Sequence, residues 1–297
     1  MMPQVSIIIP NFNHAQYLKQ RIDTVLNQSF QDFELIILDD RSTDSSREII
    51  EEYRSHPKIA QIVYNELNGG SPFKQWEKGL SLAKGEFVWI AESDDYADVS
   101  FLEILMPLIK KNQNAGIVFC KSHWVNTEGR KGKDLSIYHR SFHKTGIFEI
   151  HDVLTRHCSI QNVSSCIIRK KLALASIGGL KKYKSCGDWI FYTRVLQTSD
   201  LIFEESVLNY FRWYHTNISD SAQKEGLWIT EGVDVLNNID FKKVSISSGD
   251  FLSVLNHWIK KINTLDYSKQ LSQYLKIIRL LLKYSRFKVL SLSKATS

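Results

Sequence analysis

The stretch that decides the reading is Glu86–Asp98, EFVWIAESDDYAD. Apolar residues run unbroken from Phe87 to Ala91, and then come the acids Glu92, Asp94, Asp95 and Asp98. A short apolar run bounded by polar residues is the pattern of a buried strand. Carboxylates crowded at its end repel one another unless something neutral or positive sits among them. The run therefore predicts a place in a core, and the acids predict a site at its edge.

Working outward, the same kind of run recurs. Val5–Pro10 (VSIIIP), Phe33–Asp40 (FELIILDD), Ile59–Asn65 (IAQIVYN) and Ala115–Lys121 (AGIVFCK) each predict a strand. Between them lie helical patterns. His14–Gln28 places Tyr17, Leu18, Ile22, Val25 and Leu26 at helical spacing, and Phe73–Gly85 closes on a glycine. STDSSREIIEEYRS opens on Ser and Thr caps with Asp44 behind them, and a further helix is expected from about Asp98 to Lys111. Strand and helix alternating in this way predict right-handed βαβ units, a mostly parallel sheet and an α/β fold. Ligands of such sheets bind at the carboxyl ends of the strands. Asp39–Asp40 and Glu92–Asp95 both fall at such ends, so two acidic pairs are expected on one rim.

Beyond Lys121 the pattern loosens. HWVNTEGRKGKDLSIYHRSFHKTG predicts a long loop or hairpin with a basic tip at Arg130, Lys131 and Lys133. HDVLTRHCSI and GDWIFYTRVLQTS look helical, and QNVSSCIIRK and SVLNYFRWYH look extended. From about Ser219 onward only helical patterns remain.

A chain of 297 residues, 43% hydrophobic and 24% charged, has the composition of a globular protein with a sizeable core. Its net charge of +6 is too diffuse along most of the chain to indicate nucleic acid. It suits anionic substrates or a membrane surface, and the basic excess concentrates at the C-terminus. The cysteines Cys120, Cys158, Cys166 and Cys186 show no C-x-x-C spacing, so free thiols in a reducing, cytoplasmic setting are expected. No signal peptide and no spanning run of apolar residues is expected.

Four segments, taken in order, resemble family 2 glycosyltransferases of the GT-A fold. They are SIIIPNFNHAQYLKQRIDTVLNQSFQDFELIILDDRSTDSS, LAKGEFVWIAESDDYAD, GDWIFYTRVL and YFRWYHTNIS. The resemblance covers about residues 3–219 and implies a GT-A domain over 1–219 with a helical extension over 220–297. It implies a nucleotide-sugar donor, an inverting transfer, and a divalent cation, Mg²⁺ or Mn²⁺, that neutralises the leaving diphosphate. Asp94 and Asp95 are then the metal and ribose ligands, with His215 a further metal ligand. Asp40 would accept the imide N–H of uracil, which points to a UDP-sugar. Pro10, Asn11 and Asn13 would pass beside the base or ribose, and Lys74 and Arg212 would meet the phosphates. Asp188 would be the catalytic base that takes the proton of the acceptor hydroxyl. A solvated carboxylate cluster, a bare turn at NFNH and an N-cap role for Asp188 are the plainer readings of the same residues.

Three departures stand out. Relatives usually carry Glu before the base, where this chain has Gly187. Many carry an Arg–Asn pair where it has Trp76 and Glu77, and Asp is commoner than Glu at position 92. The lost Glu keeps open a catalytically idle nucleotide-sugar binder or assembly protein. A metal-dependent nucleotidyltransferase is the other alternative, although NFNHAQ is not the Gly-rich phosphate loop it would want. The acceptor would be a glycan or lipid-linked glycan of the cell surface. In YLKIIRLLLKYSRFKVL, Lys276, Arg279, Lys283 and Arg286 share one helical stripe. That basic amphipathic helix could pack on the protein or lie peripherally at the inner face of the membrane.

Overall fold

The structure, a computed structural model, describes residues 2–213 and 225–295. His215 and Ser219 lie outside the described residues.

The expected alternation is present. Strands β1 (Val5–Asn11), β2 (Phe33–Asp39), β3 (Ile59–Tyr64) and β4 (Phe87–Ile90) are separated by α1 (Ala15–Leu26), α2 (Ser46–Glu52) and α3 (Pro72–Leu82). After β4 come a two-residue strand β5 (Tyr96–Ala97), α4 (Phe101–Lys111) and a long β6 (Ala115–Val125). The loosely patterned region resolves into β7 (Lys131–Asp134), β8 (Phe142–Thr145), a short α5 (Gly146–Glu149) that runs into one π turn, β9 (Cys166–Arg169) and α6 (Lys170–Ser176). Then α7 (Gly187–Leu196) and β10 (Asp200–Arg212) complete the sheet. The C-terminal helices are α8 (Leu227–Asn237), α9 (Phe241–Val244), α10 (Ser248–Ile262) and α11 (Tyr267–Ala295).

The sheet runs β3-β2-β1-β4-β9-β6-β10-β5, with β7 beside β6 and β8 beside β10. Strands β3, β2, β1 and β4 are mutually parallel. Strand β9 is antiparallel to both neighbours and separates β4 from β6. The sequence pattern did not show that insertion, because a four-residue strand arriving from a distant segment has no local partner signal. The basic tip is the hairpin between β6 and β7, where Val125 faces Lys131.

Two apolar layers enclose the sheet. Ile7, Ile9, Leu35, Ile37, Trp89 and Ala91 pack on α1 and α4. Ile8, Ile36, Leu38, Val88 and Ile90 face the other way, in a core shared with α3, α7 and the C-terminal helices down to Tyr284. Alternate residues of each strand serve opposite faces, so central strands read as continuous hydrophobic runs.

Candidate active site

At the carboxyl ends of β1 and β2, Asn11 lies opposite Asp39 in the parallel register. Asp39 is fully buried. Its Oδ1 accepts from Asn11 Nδ2 at 3.0 Å, and its Oδ2 from the Ser42 N–H at 3.1 Å and Arg47 Nε at 3.2 Å. It braces the loop after β2. Asp40 is also buried, and its Oδ1 accepts from Asn65 Nδ2 at 2.7 Å, Gln75 Nε2 at 2.7 Å and the Gly69 N–H at 2.8 Å. Among the described residues its Oδ2 accepts from the Gly69 N–H at 3.0 Å and from no other group, which leaves it room for an incoming donor. A Cβ at Gly69 would sit 3.2 Å from Asp40 Oδ1, a tight contact that this carboxylate would have to yield to.

The other donor-side candidates line the same rim. Pro10 is buried in β1. Asn13 is exposed, in the left-handed region at φ 55°, and its Oδ1 accepts from the Thr43 N–H at 2.7 Å. Asparagine tolerates that conformation better than most residues. Lys74 is exposed and donates from Nζ to the Gly69 carbonyl at 2.6 Å. Asp44 caps α2, accepting from the Ser46 N–H at 3.0 Å, so the cap falls on the acid rather than on the preceding Ser and Thr.

The acidic loop after β4 divides by orientation. Asp95 is turned into the protein, 1% exposed. It accepts from Asn162 Nδ2 at 2.9 Å and the Arg212 N–H at 3.0 Å, and Arg21 Nη2 lies 3.8 Å from its Oδ2. Burial and the neighbouring Asp94 raise its pKa against the pull of Arg21. Asp94 is the half-buried member of the pair. Glu92 accepts from Trp76 Nε1 at 2.7 Å, while its N–H donates to Ser164 Oγ at 3.0 Å and its carbonyl accepts from Arg21 Nε at 2.8 Å. Burial, reinforced by Asp94, pushes the Glu92 carboxyl up to about 8, so it carries a proton at neutral pH. Asp98 accepts from the Ser100 N–H at 2.9 Å and shapes the turn before α4, whose cap position is Ser100.

Arg212 is almost completely buried. It donates to the carbonyls of Asp94 (2.8 Å), Asn126 (3.0 Å) and Thr127 (3.3 Å) and to Gln20 Oε1 (2.8 Å), and it stacks over Tyr17. Among the described residues these contacts spend four of its five N–H groups. The guanidinium thus ties the acidic loop to α1 and to the β6–β7 hairpin, with one N–H unspent among the described residues.

Asp188 sits in the first turn of α7, where its Oδ1 accepts the Trp189 N–H at 2.7 Å. Burial pushes its carboxyl up to about 6, against that hydrogen bond. It lies within electrostatic reach of the buried groups Cys158, Cys166, Cys186 and Tyr192, none of which carries a balancing positive charge. Helix α3 joins this carboxylate to the acidic loop. Trp76 holds Glu92, and one turn earlier the Phe73 ring lies against Gly187, where an added Cβ would come within 2.4 Å of Phe73 Cζ. The three departures at 76, 92 and 187 therefore belong to one packed unit. Phe73 takes the room a Glu at 187 would need, and Trp76 supplies a neutral donor to a longer acid.

Residues 6–173, more than half of the chain, match the model of "Glycosyl transferase family 2". The chain belongs to this family. Among curated relatives, a glycosyltransferase GlyG of Streptococcus pneumoniae is 31% identical over 111 residues, which is 37% of this chain and 36% of that protein. The poly(ribitol-phosphate) beta-N-acetylglucosaminyltransferase TarS of Staphylococcus aureus is 32% identical over 132 residues, 43% of this chain and 22% of that protein. The matched part thus spans about a third and about a fifth of the lengths of these relatives. The TarS 1–349 structure in complex with UDP-GlcNAc superposes with a TM-score of 0.64 at 20% identity, over 93% of this chain and 89% of that one. A mannosyltransferase of Pyrobaculum calidifontis in complex with GDP-Man and Mn²⁺ gives 0.59 at 15% identity, over all of this chain and 81% of that one. The architecture is the GT-A fold, a mostly parallel sheet between helices with further helices at the C-terminus.

Sequence reasoning missed Arg21, the internal counter-charge of the acidic loop. It is fully buried between Leu18, Ile22 and Val25 on the apolar face of α1, and burial lowers it only to about 10, so it stays charged. An arginine at a core position of an amphipathic helix was the available signal. Gln75, Asn162 and Ser164 were also missed, because single polar residues in apolar segments carry no pattern.

Proposed function

We propose that this protein transfers a sugar, with inversion, from a UDP-linked donor to an acceptor hydroxyl of a glycan or lipid-linked glycan at the cell surface. The observation that carries the reading is the span across α3. Its Trp76 holds Glu92 of the acidic loop, and its Phe73 lies against Gly187, the neighbour of Asp188, whose carboxyl burial raises to about 6. Such a base is ionised at neutral pH and still basic enough to take a hydroxyl proton as the new bond forms. One carboxylate opposite the leaving group is what a single in-line displacement requires.

Each remaining residue has a defined task. Asp40 Oδ2 is the acceptor left for a base N–H. Asn11 and Asn13 shape the passage beside it, and Lys74 and the spare N–H of Arg212 supply positive charge for phosphate. Carboxylate oxygens suit a hard cation, and although the described residues hold no group of three such ligands, Asp94 is the more accessible of the pair; burial, then the closeness of Asp94, raises Asp95. Asp94 would hold the ion, with His215 the further candidate and Asp95 behind, fixing the loop. When bound, that cation neutralises charge building on the leaving diphosphate. The chain's own contribution is to keep the acidic loop in place through Arg21, Arg212 and Asn162. Among the described residues no helix is long and apolar enough to cross a membrane.

The test is nucleotide release across a panel of UDP-, GDP- and other nucleotide-sugars, with and without Mn²⁺. Cation-stimulated UDP release from one donor is the expected result. Binding without release from any donor would assign the chain to the idle-binder alternative.

A further inference from the structure

Helix α11 has two apolar faces, and among the described side chains one of them is packed while the other is open. Gln273, Ile277, Leu280 and Tyr284 point inward and are buried. Tyr284 stacks on Phe251 at 3.8 Å between ring centroids and donates to the Ile246 carbonyl at 3.0 Å. Lys276 pins the same side, pairing with Asp234 of α8 at 2.9 Å and donating to the Thr230 carbonyl. The packing expected from the sequence is thus real, and it uses one half of the helix. The opposite half carries Leu271, Leu275, Ile278 and Leu282, 65%, 48%, 51% and 55% exposed. Their spacing of four, three and four residues keeps them on one line along the helix. Tyr267 extends this line at 87% exposed, and Leu281 widens it. Leucines in such a row on the surface call for a partner.

Charge decides which partner. Residues 267–297 contain Lys269, Lys276, Arg279, Lys283, Arg286, Lys288 and Lys294 and not one acid. Arg279 and Lys283 are exposed, between the buried face and the open apolar face. A second copy laid on the same line would set these cations against each other, with no Glu or Asp to answer them. A surface that is apolar at its level and anionic above it answers both features, because lysine and arginine beside a buried apolar face reach up to headgroup phosphates.

We propose that the outward face of α11, Leu271, Leu275, Ile278 and Leu282 flanked by Arg279 and Lys283, docks the protein on an anionic lipid bilayer. The helix lies in the plane of the interface while its inner face stays packed on α8 and α10. The proposal gives the glycosyl-transfer reading its setting but is measured without any donor, so failure of one leaves the other standing.

The experiment is co-sedimentation of the full chain with vesicles, either of phosphatidylcholine alone or of phosphatidylcholine and phosphatidylglycerol in equal parts. Anionic vesicles should bind it, added salt should weaken the binding, and neutral vesicles should bind little. Leu275→Ser with Ile278→Ser and Leu282→Ser should lower the partition coefficient at least about tenfold. Arg279→Gln with Lys283→Gln should lower it about fivefold per charge. All five positions are exposed, and an unchanged unfolding temperature would verify that the variants fold. Binding that the triple variant retains would overturn the proposal, as would no binding to either vesicle. A solution dimer lost in the triple variant, with no vesicle binding, would assign the face to a second copy instead.

Discussion

The carboxylates of the strand-end loops and the one on α7 are held in opposite ways. Asp39, Asp40 and Asp95 are met by side-chain amides, backbone N–H groups and arginines, and their hydrogen-bonding capacity is largely spent inside the protein. Asp188 accepts from the Trp189 N–H, and burial outweighs that hydrogen bond in setting its carboxyl. Braced carboxylates hold loops still, whereas an under-solvated carboxylate is ready to take a proton. The contrast separates residues that build the site from the one that would act in it.

The sharpest way to break this contrast is at Asp188. Asp188→Asn should lower nucleotide release by a factor of about 10² to 10⁴, the usual contribution of a general base, with donor affinity unchanged. Next comes Arg21→Met, which strips the buried counter-charge from Asp95. Breaking a buried pair on one side costs about 3–5 kcal/mol, so the urea midpoint should fall steeply. If the midpoint held, Arg21 would not be the brace of the acidic loop.

The pH dependence should run in opposite directions for stability and activity. The folded pKa of Asp188, about 6, lies above its ordinary value of 3.8, so the folded state holds the proton more tightly. Its contribution to stability is therefore present at low pH and lost as pH rises through that window, on the order of 3 kcal/mol. Nucleotide release should rise over the same interval as the base ionises. Asp188→Asn should flatten the rise in release and remove only its own share of the stability trend, since Glu92 and Asp95 are raised in the same direction; unfolding and release curves recorded across about pH 4 to about pH 7.5 check this.

Two smaller changes sharpen the role of α3. Gly187→Ala should cost about 1–3 kcal/mol through the clash with Phe73, and Phe73→Leu should recover part of it. Trp76→Phe removes the donor to Glu92 while keeping a ring in the core, and should cost about 1–2 kcal/mol. Additive effects in these pairs would show that 73, 76, 92 and 187 are not one unit.

The fold was largely legible because apolar runs and helical spacing report burial directly, and the strands at 5–11, 33–39 and 87–90 fall where such runs fall. The candidate acids were legible as strand-end clusters. Their division of labour was not. That Asp95 points inward and Asp94 stays accessible depends on Asn162, Arg212 and Arg21, which lie 67, 117 and 74 residues away in the chain. No local pattern encodes contacts of that range. For the same reason Arg212, expected at the phosphates, emerges as a strut with one N–H to spare. The tail was read as a choice between packing and membrane contact, because periodicity shows an amphipathic helix but not which of two apolar faces the protein covers.

The most direct test of the central claim compares wild type with Asp188→Asn at one cation-stimulated donor, measuring donor binding by calorimetry and nucleotide release in the same samples. The account predicts equal binding, and release lost by at least about a hundredfold in the variant. Release at the wild-type rate from Asp188→Asn would contradict it, and the base would have to be sought among other groups facing the rim.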